Sequence, residues 1–276
     1  MKGRRARLFA VLCAWLTAVG APAPALGDDA WYAGTLEVSA GGDWSTGRYG
    51  GDTNTDLLYL PFSLRYRWEE FPTPYVWDEL ELAVTAAYVR LDGPAVLIDG
   101  TPAASPLLES QVRDGLGDVL VRTTYRIFAP REWSLPALEL GARVKVPTAD
   151  RSKGLGTGEL DTTVFVGLAD RFGDLSVFGT VGYRFAGDPP GVDLRDTLET
   201  TLGTSLRLAD RYGVGLSYDW RDARFRGARD AHELVPFAWL QVRRAWRITP
   251  YAVVGLSEGS PDVGVGLQVT VSVPVR

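Results

Sequence analysis

The chain has 276 residues, 46% of them hydrophobic and 23% charged, with a formal net charge of −5, one cysteine and one histidine. Its acidity argues against a nucleic-acid partner, and a lone cysteine cannot build a disulfide framework. Beyond residue 27 no apolar run reaches the roughly eighteen residues of a membrane-spanning helix.

The N-terminus reads as an export signal. Lys2, Arg4, Arg5 and Arg7 form a basic segment, and Leu8 to Val19 is apolar but too short to span a bilayer. In Ala25-Leu26-Gly27 small side chains occupy the two positions a signal peptidase reads. The expected cut is therefore after Gly27, with Ala25 second best. Cys13 follows the large Leu12 inside the apolar run, which disfavours lipidation. Removing residues 1–27 and their four basic side chains takes the charge from −5 to −9. The exported chain, 28–276, must then stay in the periplasm, be secreted, or enter the outer membrane as a barrel, since a span without helices must be a closed sheet.

From Trp31 onward the hydrophobic period is two. Between 196 and 209, Leu198, Thr200, Leu202, Thr204, Leu206 and Leu208 share one face, and Thr197, Glu199, Thr201, Gly203, Ser205 and Arg207 the other. A strand separates these sets; a helix mixes them. The same reading predicts about twelve strands, within the range of membrane barrels: 31–40, 54–68, 78–91, 116–128, 135–146, 159–169, 175–186, 196–209, 212–221, 232–242, 249–257 and 262–275. The strand at 232 is the least regular, with apolar groups on both parities and Pro236, which cannot donate to a ladder. Long polar connections (41–53, 92–115, 147–158, 187–195, 222–231) alternate with short ones (130–134, 170–174, 210–212). An up-and-down barrel with short periplasmic turns and long external loops has this alternation, and an even strand count puts both termini on the periplasmic side.

The two strand faces differ in kind. One is apolar and nearly free of charge, as a lipid-facing surface must be, because a mid-bilayer charge costs about 2–4 kcal/mol. Aromatics gather near strand ends: Trp31, Tyr32, Trp68, Trp77, Tyr125, Trp133, Phe172, Tyr183, Phe185, Tyr212, Tyr218, Trp220, Trp246 and Tyr251. Such rings prefer the headgroup level. The other face carries Arg65, Arg67, Glu79, Glu81, Asp118, Arg122, Arg126, Glu139, Arg143, Lys145, Asp161, Arg184, Glu199, Arg207, Asp219 and Arg221. A soluble sandwich buries apolar inner faces and would not tolerate these charges. In a barrel they can pair or meet water, so these sixteen are the candidate lumen-lining residues. They either line a pore or fill the barrel with ion pairs.

Sites for chemistry are scarce. Gly154-Leu155-Gly156-Thr157-Gly158 has the look of a phosphate loop, but a strand and not a helix follows it, so tight turns explain the glycines. His232 has no nucleophile motif around it. No cysteine–histidine cluster suits a transition metal. Asp43, Asp52 and Asp56 could bind calcium weakly, although solvated loop charge is the simpler reading. No catalytic residue, cofactor or resident metal is expected.

Three stretches carry a family resemblance. They are Gly115-Leu116-Gly117-Asp118 leading into Tyr125-Arg126; the run Lys145-Val146-Pro147-Thr148-Ala149-Asp150-Arg151-Ser152-Lys153-Gly154-Leu155-Gly156-Thr157-Gly158; and Phe172-Gly173-Asp174-Leu175 running to Gly182-Tyr183-Arg184-Phe185. With Glu258-Gly259-Ser260-Pro261-Asp262, they resemble the meta-pathway phenol-degradation (MetA-like) family of outer-membrane proteins, often called transporters. The resemblance runs from about residue 115 onward. It implies an outer-membrane barrel that passes small solutes, hydrophobic or aromatic ones included. The expected partners are membrane lipid and lipopolysaccharide, the barrel-insertion machinery and an unidentified solute. Asp262 to Val269 resembles the insertion signal, although the chain ends in Val-Pro-Val-Arg where such signals end in an aromatic. A structural or adhesive barrel with a closed lumen is the alternative, and an outer-membrane hydrolase a weaker one.

Overall fold

A computed structural model describes residues 34–72, 77–98, 101–104, 111–128, 135–189 and 193–275, together with 11–12 and 16–17. The cleavage site after Gly27, and Trp31, Tyr32 and Trp133 of the expected girdle, lie outside the described residues. Twelve long strands follow one another: β1 (Gly34–Gly47), β2 (Thr55–Pro72), β3 (Trp77–Gly93), β4 (Val119–Phe128), β5 (Ala137–Val146) and β6 (Asp161–Phe172). The second half comprises β7 (Leu175–Phe185), β8 (Thr197–Ala209), β9 (Tyr212–Arg221), β10 (Ala231–Arg243), β11 (Trp246–Gly255) and β12 (Val263–Val275). Each pairs antiparallel with its sequence neighbours, and β12 returns to β1, with Val263 opposite Thr46 and Val275 opposite Gly34. This closure leaves no barrel strand with a free edge, which is the condition for crossing hydrocarbon with a sheet.

Side-chain parity sets inside from outside. In β8 the inward Thr197, Thr201, Gly203 and Ser205 are buried, and the outward Leu198, Leu202, Leu206 and Leu208 are exposed. The outer face of the barrel is a belt of such residues; Val166, Leu202, Leu216 and Val265 are 45%, 55%, 43% and 51% exposed. Exposed valine and leucine in this number oppose water and suit lipid. At the rim nearer the termini the belt carries Phe172, Tyr212 and Trp246, all exposed, and at the other rim Tyr183 and Phe185, packed edge to face at 5.0 Å. Tyr251, expected in the girdle, instead points inward, where its hydroxyl donates to Asp43 Oδ2 at 2.8 Å. The expected strand began at 249, which put Tyr251 near a strand end; the strand begins at Trp246, so Tyr251 lies in mid-strand.

The boundaries moved where glycine and proline blur alternation. β1 does not stop at residue 40 but runs to Gly47, because Gly41 and Gly42 have no side chain to mark a face while the pairing with β12 continues. The strand expected at 116–128 is two pieces. Gln111–Leu116 pairs with Tyr88–Gly93 of β3, and β4 pairs with Trp77–Thr85. The expected loop 92–115 thus holds ordered structure, including a hairpin of Ala95–Ile98 with Thr101–Ala104. The strand containing Pro236 does form. Pro236 sits on the outward parity opposite Leu216, and the β10–β11 register holds constant from Glu233↔Gly255 to Gln241↔Arg247 with rungs missing around Pro236 and Pro250. A proline removes one ladder donor without changing the register.

Candidate functional site: the barrel interior and its mouth

The interior wall of β1–β5 carries one continuous charge network. Arg65 donates from Nη1 to Glu37 Oε2 at 2.8 Å and lies 3.2 Å from Glu81. Arg67 contacts Glu37 at 3.3 Å and Glu81 at 3.7 Å. Arg126 bridges Glu79 at 3.6 Å, Glu81 at 3.2 Å and Glu139 at 2.8 Å, and Arg122 reaches Glu139 at 3.3 Å. Four guanidiniums therefore face four carboxylates. The bidentate geometry available to arginine allows each to hold two acids. The Arg122 guanidinium also lies over the Phe165 ring, 4.1 Å from its centroid.

A second group sits toward the long-loop end. Lys145, 1% exposed, lies 3.4 Å from Asp118 and 3.3 Å from Asp161, and Asp161 also takes Arg184 Nη1 at 3.0 Å. Arg143 reaches Glu199 at 3.1 Å. Asp219 accepts from the Thr201 and Ser217 hydroxyls, and Arg221 pairs with Glu233. Of the sixteen sequence candidates, fifteen thus stand in these interior groups. Arg207 differs: it is partly exposed and pairs with Asp174 in the short β6–β7 turn, at the rim.

Sequence reasoning missed Glu37, Glu233, Arg247 and Arg113, all buried. Glu37 alternates with Thr35 and Ser39, so parity alone could have found it. Arg247 was hidden by the late start assigned to its strand, and Arg113 by its place in an expected loop.

The opposite wall is aromatic. Phe178, Val235, Phe237 and Trp239 form a buried cluster joined by Tyr251 and Val253. Each of its rings lies over a glycine directly across the ladder: Phe178 over Gly203, Phe237 over Gly215, Trp239 over Gly213 and Tyr251 over Gly266. A Cβ added at Gly215 would sit 2.1 Å from the Phe237 ring, and one at Gly266 2.1 Å from Tyr251. The missing side chains let the rings lean sideways along the wall instead of out toward the barrel axis.

Two inward-folded segments occupy the long-loop mouth. Leu97 of the first hairpin strand packs with Leu57, Tyr59, Ala87, Val89 and Leu91, which are inward residues of β2 and β3, and with Leu155. Ala95, Leu97, Ile98 and Leu155 are almost entirely buried. Leu97 N donates to Gly154 O at 2.9 Å, tying the hairpin to the β5–β6 loop. Arg113 fastens the hairpin base, donating to Gly93 O at 2.5 Å, Ala95 O at 2.6 Å and Lys153 O at 3.2 Å. On the far side, Arg224 Nη1 donates to Ile98 O at 2.8 Å. Arg224 belongs to the loop after β9, six strands round the ring from β3, so the hairpin spans the mouth.

The glycine-rich stretch 154–158 holds this arrangement in place. Asp150 caps the short 3₁₀ turn Arg151–Lys153, accepting from the Ser152 hydroxyl at 2.6 Å and from Ser152 N at 2.9 Å, and these bonds hold its carboxyl below the usual range. Gly154 ends the turn at φ 66°, a region favouring glycine. At Gly156 a Cβ would meet Asp118 Oδ2 at 2.7 Å. The loop shapes the mouth; no helix follows it to bind phosphate.

The other sequence candidates separate. The His232 ring contacts the Tyr218 hydroxyl at 2.6 Å through Nδ1, while Ser257 and Ser260 bond its backbone and not its ring. Asp43 is inside the barrel with Tyr251, whereas Asp52 and Asp56 are exposed, so these three form no common site. Among the described residues no group of three or more His, Cys, Asp or Glu is placed to hold a metal.

A closed twelve-strand antiparallel barrel with an apolar belt outside and paired charges inside is the architecture of an outer-membrane β-barrel protein. No family model and no curated protein matches the chain. Among solved structures, it is similar to an outer membrane channel from Pseudomonas putida F1, with a TM-score of 0.64 and 13% identity over 89% of this chain and 97% of that one. It is also similar to the transport unit of the autotransporter AIDA-I from Escherichia coli, with a TM-score of 0.50 and 7% identity over 88% and 90% of the two chains. The likeness is one of fold.

Proposed function

We propose that this chain is an outer-membrane channel that passes small solutes, hydrophobic or aromatic ones included. The observation carrying this reading is the polar and charged interior enclosed by a lipid-compatible wall. Such groups are compatible with water along a path. The MetA-like resemblance of residues 115 onward supports the same class and is the basis for the solute type. With it go export by a leader cleaved after Gly27, assembly by the barrel-insertion machinery, contact with lipopolysaccharide, and the fifteen interior candidates as lumen-lining residues, with Arg207 at the rim. No catalytic role is assigned.

The test has two parts. The protein should fractionate with the outer membrane and migrate differently on a gel before and after boiling. Purified protein in a planar bilayer should then give discrete conductance steps. Recovery in the soluble periplasmic fraction would end the reading at its first stage, and a silent bilayer would end the channel part of it.

A second reading rests on a specific observation. The β1–β5 charge network is internally neutral and the hairpin spans the mouth, which also suits a closed structural or adhesive barrel acting through its loops. Unchanged solute uptake in a deletion strain, with lost surface binding, would select it.

A further inference from the structure

In the β1–β5 network four guanidiniums face four carboxylates, but Arg247 on the aromatic wall has no carboxylate within ion-pair distance among the described residues. It is buried, and its side-chain hydrogen bonds go to the neutral Gln241 Oε1, at 3.2 and 3.1 Å. Its guanidinium lies over the Trp239 ring, 5.7 Å from the centroid. The indole N–H of that same Trp239 is buried and has no hydrogen-bond partner among the described residues. The guanidinium thus stands without an acidic partner at the edge of the buried cluster of Phe178, Phe237 and Trp239, while the indole nitrogen lies over Gly213 across the ladder. A buried cation without an acidic partner is a standing cost that an incoming anion reduces.

We infer that Arg247, lying over Trp239, forms an anion subsite for a flat organic monocarboxylate, with the carboxylate on the guanidinium and the ring of the solute against the Phe237 and Trp239 wall. The chemistry selects each part of this ligand. A guanidinium held by a neutral amide still carries a full positive charge and takes a carboxylate through paired N–H donors. The rings beside it lie along the wall because their partner positions are glycine, so a planar solute meets an apolar surface and not ring edges projecting across its path. A dianion would leave one charge against that apolar surface, which disfavours it. This subsite deepens the channel reading by naming its solute class and depends on that reading for its transport role.

The experiment uses the full barrel, with benzoate as the probe and benzyl alcohol and acetate as controls. Benzoate binding is measured by calorimetry on detergent-purified protein, and benzoate block of potassium chloride conductance in planar bilayers. Arg247→Gln should weaken benzoate binding and block by about tenfold or more, the usual scale for losing a hydrogen-bonded charge, and Arg247→Lys should restore part of both. Benzyl alcohol should be indifferent to Arg247→Gln, and acetate should bind weakly to all forms. The gel shift on boiling verifies that each variant is a folded barrel. Equal benzoate binding by wild type and Arg247→Gln overturns the subsite, as does no binding by wild type. Arg247-dependent binding in a barrel without conductance upholds the subsite and overturns the channel reading alone.

Discussion

Arg224 and Ile98 meet across the mouth of the barrel: the guanidinium of a loop after β9 donates to the carbonyl oxygen of a hairpin that grows from β3. A contact between elements half a ring apart makes the hairpin a crossbar and not a fringe. If the crossbar limits flow, Arg224→Ala frees its far end, while the cluster around Leu97 keeps its near end seated. Single-channel recordings of this variant should show larger or more frequent openings than wild type. Identical traces would mean that the crossbar does not control the opening.

The ion pairs inside β1–β5 make a separate prediction about stability. Arg126 serves three carboxylates, so Arg126→Ala leaves Glu79, Glu81 and Glu139 short of a partner. Removing one member of a buried pair costs about 3–5 kcal/mol, with less where water enters the barrel. The temperature at which the folded gel band is lost should fall. The double variant Arg126→Met with Glu139→Gln should recover part of the loss, because it removes charge from both sides.

Much of the barrel was legible in the sequence because lipid imposes a simple rule on every second residue. In β8 that rule separates leucine from serine and glutamate without exception. It failed where the marker itself was missing. Gly41 and Gly42 carry no side chain, so the second half of β1 read as a loop. The interior charges followed from parity in fifteen cases, yet Arg247 escaped because its strand was started too late. Nothing local could have placed Arg113 or Leu97. Their positions depend on where a long connection folds, and that is set by contacts with β2, β3 and the loop at Gly154, distant in sequence.

The glycine–aromatic pairs are tested by filling the space. Gly215→Ala puts a methyl group where the Phe237 ring now lies and should cost about 1–3 kcal/mol, the scale of overpacking. Combining it with Phe237→Ala should cost less than the two changes summed, because the clash is gone. Additive effects in urea unfolding would show that the ring and the glycine are not coupled.

Outside the barrel, Val166 lies in mid-strand on the lipid-facing parity of β6. Val166→Arg should reduce the folding free energy into phospholipid vesicles by about 2–4 kcal/mol, the cost of a charge at the bilayer centre. The same substitution at Leu160, exposed in the loop just before β6, should be nearly neutral. Equal effects at the two sites would contradict the belt.

The rung joining Gly34 to Val275 ties the first barrel strand to the last. A barrel closed in this way cannot be stable in part. A chain that stops short of β12 exposes two unpaired strand edges, at β1 and β11, to a solvent that offers no hydrogen bonds. Completion is therefore a single late event, slow because it joins the most distant parts of the chain. Until it occurs the open edges can pair with any other strand they meet. Nonsense and frameshift changes that remove β12 should consequently behave like early ones, yielding chains for proteolysis and not shortened pores.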